Sequence, residues 1–208
     1  MIKILTISGS PVDASSTDLI LQQLQRSVID HLPDHLSGEY DFIKLNDLNI
    51  KSCQACGDAP TPLFCFYDDI ADVYKKLEQC DLLLFGSPVY FDSVSAQAKL
   101  FIDRCNCFRP ADFDNRDPDH DFIKLLKRKR PGAMVIVGGD NCWFEGTRRV
   151  IAGFFKWVEV VNEGTIKYVS VDYNKRGTVL DDENTINETI ELGKKLASLF
   201  ENSEQNDK

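Results

Sequence analysis

Five stretches of the chain carry apolar residues in the runs or alternations of a β-strand, and between them apolar residues recur at helical spacing. Ile2, Ile4, Leu5 and Ile7 define a first strand over residues 3–8. Leu19, Ile20, Leu24, Val28 and Ile29 then share one face of a helix that starts near Ser16 or Thr17 and stops before Pro33 and Gly38. Residues 40–45 alternate as a short second strand. Asp68 and Asp69 read as the cap of a helix bearing Ile70, Val73, Tyr74 and Leu77, which leads through Cys80 into a third strand over residues 82–85. That strand is expected to break at Gly86-Ser87-Pro88, with a helix over residues 95–106 beyond it. A fourth strand over 133–137 breaks at Gly138-Gly139. A helix over 145–160, a strand over 164–171 and a helix over 182–200 complete the pattern.

Strands alternating with helices imply a parallel sheet covered on both faces. Five strands in a chain of 208 residues fit the order 2-1-3-4-5, with the ligand crevice between strands one and three. One domain over residues 1–200 is expected. Two irregular segments lie within it, a loop at 46–67 and an insertion at 108–130 with a short helical piece around 122–126. The polar tail at 201–208 reads as disordered. The basic run of Lys124, Lys127, Arg128, Lys129 and Arg130 reads as the solvated end of a helix.

A net charge of −9 argues against a nucleic-acid or acidic-membrane partner, and no run approaches the roughly 20 apolar residues of a membrane span. The amino terminus enters a strand without a signal-like segment, which points to the cytoplasm. Seven cysteines, an odd number, do not read as a secreted disulfide framework.

Candidate chemistry gathers at the strand ends. The first loop offers the hydroxyls of Ser8, Ser10, Ser15, Ser16 and Thr17 beside a helix start, a setting that suits a phosphate. The third strand opens into Pro88, Val89, Tyr90 and Phe91, which put aromatic surface on the same edge. Gly138, Gly139, Asp140 and Asn141 add a closely approachable backbone from the fourth strand. Phosphate-binding and ring-binding loops on one crevice point to a mononucleotide such as FMN. Trp143 and Phe144 are expected in the core, Lys99 and Asp103 as a surface ion pair, and Cys105, Cys107 and Cys142 as structural thiols, Cys142 close to the flavin.

Gly9-Ser10-Pro11 with Ser15-Ser16-Thr17, the Asp68-Asp69 pair, residues 87–91, and residues 95–99 through Ile102-Asp103-Arg104 together resemble the NADPH-dependent FMN reductase family, and within it the iron–sulfur flavoprotein-like branch. The resemblance implies a flavodoxin-like three-layer α/β sandwich. It also implies non-covalent FMN, NADPH or NADH as electron donor, a small-molecule electron acceptor, and a homodimer or homotetramer. Two departures stand out. Val12 occupies a position that is often basic in the family, and Cys53, Cys56 and Cys65 leave a cluster-binding set short of a fourth cysteine, with Cys80 the nearest candidate. No metal and no catalytic side chain are therefore assigned. The rival readings are an FMN electron carrier with a metal or redox-active cysteine centre, and a flavin-free regulatory domain of the same topology.

Overall fold

The computed structural model describes residues 1–55, 68–110, 112–172 and 174–201. Its elements run β1 Ile2–Ser8, α1 Ser16–Asp30, β2 Gly38–Lys44, α2 Ile70–Gln79, β3 Leu82–Tyr90, β4 Ser93–Val94, α3 Ala96–Arg104, β5 Arg130–Gly138, α4 Phe144–Trp157, β6 Val160–Val169 and α5 Glu183–Ser198. The long strands pair in parallel in the order β2-β1-β3-β5-β6, and β4 folds back antiparallel on the end of β3. Numbered without β4, this is the expected 2-1-3-4-5 order of a flavodoxin-like sandwich.

Alternation along the central strands divides the core in two. Leu5, Ile7, Leu83, Phe85, Met134 and Ile136 face one layer, where they meet Val73, Leu77, Phe101 and Phe154 of α2, α3 and α4. Ile4, Leu82, Leu84, Ala133 and Val135 face the other, against Ile20, Leu24, Val28 and Leu196 of α1 and α5. A strand buried on both faces reads as a continuous apolar run, which is why Leu82–Phe85 shows no polar alternation. Full burial of a side chain such as Phe85 contributes about 1.5–3 kcal/mol.

Several expectations need correction. β3 does not break at Gly86 but continues through Pro88, which pairs with Val137 of β5. The reason is parity. The Gly86 carbonyl points toward β1 and accepts the Gly9 N–H at 2.8 Å, and Pro88 points the same way, past the end of β1 at Ser8. Its missing N–H therefore has no partner to lose. The chain turns instead at Phe91 and Asp92, both in the left-handed region with φ 50° and 56°.

Residues 122–126 are not helical. Phe122 packs edge-on to Trp157 and His120, Lys124 pairs with Glu159, and Leu126 is buried, so tertiary contacts and not helical hydrogen bonds place the segment. Nor is the basic run a solvated helix end. Arg130 is buried with its guanidinium on the carbonyls of Leu77, Glu78 and Cys80, and Arg128 reaches those of Gln79 and Cys80. These residues hold the carboxyl terminus of α2, where cations are favoured. Lys99 and Asp103 do form the expected exposed pair at 2.6 Å. Residues 56–67 and 202–208 lie outside the described residues, and with them Cys56, Cys65 and nearly all of the polar tail. No helix among the described residues is long and apolar enough to cross a membrane.

Candidate functional site

At the carboxyl edge of the sheet a cleft of about 160 Å³ opens between the ends of β1 and β3. Its floor is the first turn of α1. Ser15 caps that helix, accepting the Asp18 N–H at 3.1 Å, and the Leu19 N–H is taken by the Ser15 carbonyl. The Ser16 and Thr17 N–H groups, like those of any helix start, have no partner within their own helix, and none among the described residues. Pro88 and Tyr90 form one wall, Val137 and Ser170 the back, and Asp172, Lys175, Arg176 and Gly177 the opposite rim.

The predicted hydroxyls are present but most are engaged. Ser8 donates to the buried Asp18 carboxylate at 2.5 Å and accepts the Ser10 N–H at 3.2 Å. The Ser10 hydroxyl exchanges hydrogen bonds with the amide and carbonyl of Val12, holding loop one closed on itself. Ser16 accepts the Val179 N–H at 3.3 Å. Ser10, Ser15, Ser16 and Thr17 line the cleft, while Ser8 sits beneath it as part of the frame.

The aromatic pair divides at the hairpin. Tyr90 lines the cleft and is half exposed, Val89 packs inward against Val94, and Phe91 is fully exposed at the tip. The third loop lies beyond the cleft wall. Gly138 ends β5 and accepts the Ser170 N–H at 2.7 Å, Gly139 accepts the Cys142 N–H at 3.1 Å, and Asp140 and Asn141 are exposed. Trp143 is not core but 74% exposed, and its backbone N–H is tied to Asp92 Oδ1 at the rim where α4 begins. Phe144 packs on the core as expected. Burial and the neighbouring Asp92 carboxylate push the Cys142 thiol above its ordinary value.

Three groups important to the cleft escaped the sequence reading. Lys44, at the end of β2, reaches under loop one with Nζ 2.8 Å from Asp13, 2.9 Å from Asp18 and 2.8 Å from the Val12 carbonyl. Burial alone would lower its pKa, but hydrogen bonds to the two carboxylates outweigh that and raise it. The only signal was a lysine closing an otherwise half-buried strand. Ser170 and the pair Lys175 and Arg176 come from the segment between β6 and α5, which the sequence marks only as polar.

Of the expected cap only part forms: Asp68 accepts the Ile70 N–H at 3.3 Å, while Asp69 makes no side-chain bond to the helix. Asp68 also holds Arg104 at 2.6 Å with both side chains buried, and accepts the Lys51 N–H at 3.0 Å. Asp69 accepts the Asn49 N–H at 2.7 Å. Both therefore tie residues 49–51 to the start of α2. A larger cavity, about 510 Å³, lies between α3 and α4 and includes Cys53 and Cys105 in its lining. Cys80 lies elsewhere, at the amino edge of the sheet beside Lys3 and Asp41, and burial pushes its thiol upward.

Residues 2–160 match the NADPH-dependent FMN reductase family. An iron–sulfur flavoprotein of Methanocaldococcus jannaschii is 28% identical over 204 residues, 95% of this chain and 96% of that protein. A protein of Bacillus subtilis named as a putative NAD(P)H-dependent FMN-containing oxidoreductase is 23% identical over 93% of this chain and 97% of its own length. Among solved structures, a flavone reductase superposes with a TM-score of 0.67 at 16% identity, covering 98% of this chain and 65% of that one, a likeness of fold.

Proposed function

The chain belongs to the NADPH-dependent FMN reductase family, and from that membership we propose that it is an FMN oxidoreductase reduced by NADPH or NADH and delivering electrons to a small-molecule acceptor, a quinone or free flavin among the candidates. One observation carries the reading. A cleft at the switch point of the sheet presents the Ser16 and Thr17 N–H groups at the start of α1, beside the aromatic surface of Tyr90. That donor set fits a phosphate monoester. At about 160 Å³ the cleft is smaller than the roughly 300–1,000 Å³ of sites that enclose a small molecule, so it suits the phosphate end and leaves a flat ring to lie on the hairpin side.

Bound FMN supplies the hydride chemistry, and no side chain of this chain is assigned as acid or base. The chain's own work is placement. The first turn of α1 holds the phosphate, Lys44 fixes the loop above that turn, and Pro88 and Tyr90 set one wall. The open side beyond Phe91 admits donor and acceptor in turn.

The decisive experiment is an absorption spectrum of the purified protein, repeated after anaerobic addition of NADPH and then of NADH. We expect the flavin bands, with bleaching by at least one nucleotide. A colourless protein that ignores added FMN would overturn the reading. Bleaching by neither nucleotide would favour the second reading, an electron carrier, which the iron–sulfur flavoprotein names of its relatives recommend. Against a four-cysteine cluster stands Cys80, whose buried thiol under Arg130 is a poor candidate for the missing ligand.

A further inference from the structure

The proposed cofactor ends in a phosphate of nearly two negative charges, so the cleft needs a cation to match it. Loop one contains none, and its only charged residue is Asp13. Lys44 is near, but its single ammonium is shared between the Asp13 and Asp18 carboxylates at 2.8 and 2.9 Å, which leaves no positive charge over. The remaining cations of the lining are Lys175 and Arg176. Lys175 is committed to Asp181, with Nζ 2.5 Å from Oδ2. Arg176 is exposed, makes no ion pair among the described residues, and places Nη1 3.5 Å from the Asp13 carbonyl of loop one.

Its position is built. The next residue, Gly177, is buried with φ 66°, and a Cβ there would come within 2.8 Å of Leu19 Cδ1 and 3.4 Å of the Ala14 carbonyl, so the backbone lies directly on loop one and α1. Thr178 then receives the Tyr168 hydroxyl at 2.9 Å and meets Ser170 at 3.1 Å, while the Val179 N–H reaches Ser16 of the α1 start. These contacts hold the segment carrying Arg176 against the helix end that offers its N–H groups to the cleft.

We propose that Arg176 is the counter-cation of the flavin phosphate, so that the segment between β6 and α5 selects a phosphorylated flavin over its dephosphorylated form. The assignment rests on the FMN reading above, and the test separates the two. Apoprotein is titrated with FMN and with riboflavin, following the quenching of flavin fluorescence, for the wild type, Arg176→Gln, Arg176→Lys and Lys175→Gln. Wild type should prefer FMN. Arg176→Gln should lose about tenfold in FMN affinity, the weight of one charge-assisted hydrogen bond, with riboflavin binding unchanged. Arg176→Lys should recover part of the loss, and Lys175→Gln should stay within about twofold of wild type. An unaltered FMN affinity in Arg176→Gln overturns the role of Arg176 while the FMN reading stands. So does an equal loss for both flavins, or a loss confined to Lys175→Gln. A wild type that binds neither flavin overturns both.

Discussion

Asp68 stands two residues before α2, where a carboxylate ordinarily serves the free N–H groups of a helix, yet its main partner is the guanidinium of Arg104, 36 residues away in sequence. Both side chains are nearly sealed from solvent, at 5% and 7% exposure, so the pair is held in a medium that screens it poorly. Asp68→Asn takes the negative charge out of this pair and should cost about 1.5–3 kcal/mol, the scale of a hydrogen bond to a charged group, read as a lower urea midpoint with unchanged slope. Burial by itself would raise the Asp68 carboxyl, but the hydrogen bonds from Arg104 and from the Lys51 and Ile70 amides prevail and hold it below its ordinary value. A carboxylate lowered on folding contributes its full stabilisation above its unfolded pKa, about 3.9, and loses it as the pH falls toward the folded value. Wild type should thus lose stability below about pH 4, and the acid limb of Asp68→Asn should be shallower. The pairing was illegible in sequence because a capping aspartate and an ion-pairing one carry the same letter, and only the fold brings Arg104 to it.

The β3–β4 hairpin is the element whose placement matters most to the cleft, since its wall carries Pro88 and Tyr90. It is held by α4. A Cβ on Gly146, in the first turn of that helix, would fall 1.8 Å from the Asp92 carbonyl at the hairpin tip, and Asp92 in turn accepts the Trp143 N–H at 2.9 Å. Because the obstacle is backbone, relief requires the whole tip to move. Gly146→Ala should cost about 1–3 kcal/mol and weaken FMN binding, whereas Gly153→Ala, with open space at its Cβ, should do neither. Thermal midpoints and flavin titrations of the two variants check this. At this scale the sequence served well where local rules dominate. The apolar runs of β1, β3 and β5, the start of α1 at Ser16 and the Ser95 start of α3 all follow from periodicity and capping. It failed where a neighbour decides. Pro88 stays in a strand because β1 has already ended, residues 122–126 are drawn out of a helix by Trp157, and Arg130 is recruited to close α2.

Over the whole molecule, the cleft draws on both core layers. Thr17 and α1 belong to one face of the sheet, Pro88 and Tyr90 lead to the hairpin that α4 holds on the other, and Arg176, Gly177 and Val179 tie the segment between β6 and α5 to loop one and α1. No single peripheral element can unfold and take the whole site with it while the rest of the sheet survives. A ligand there should therefore stabilise global unfolding and not a local opening. Linkage fixes the size. At free FMN one hundred times its dissociation constant, unfolding should cost about 2.7 kcal/mol more, and in a domain of this length each kcal/mol moves the midpoint by about 2–4 °C. A rise of roughly 5–10 °C as one cooperative transition is the expected result. Riboflavin at the same concentration should give a smaller rise, because the Ser16 and Thr17 N–H groups and Arg176 then face no phosphate. If FMN instead splits the melting curve into two steps, with only one shifted, then the cleft reports on part of the sheet alone, and the coupling of both core layers through the switch point is wrong.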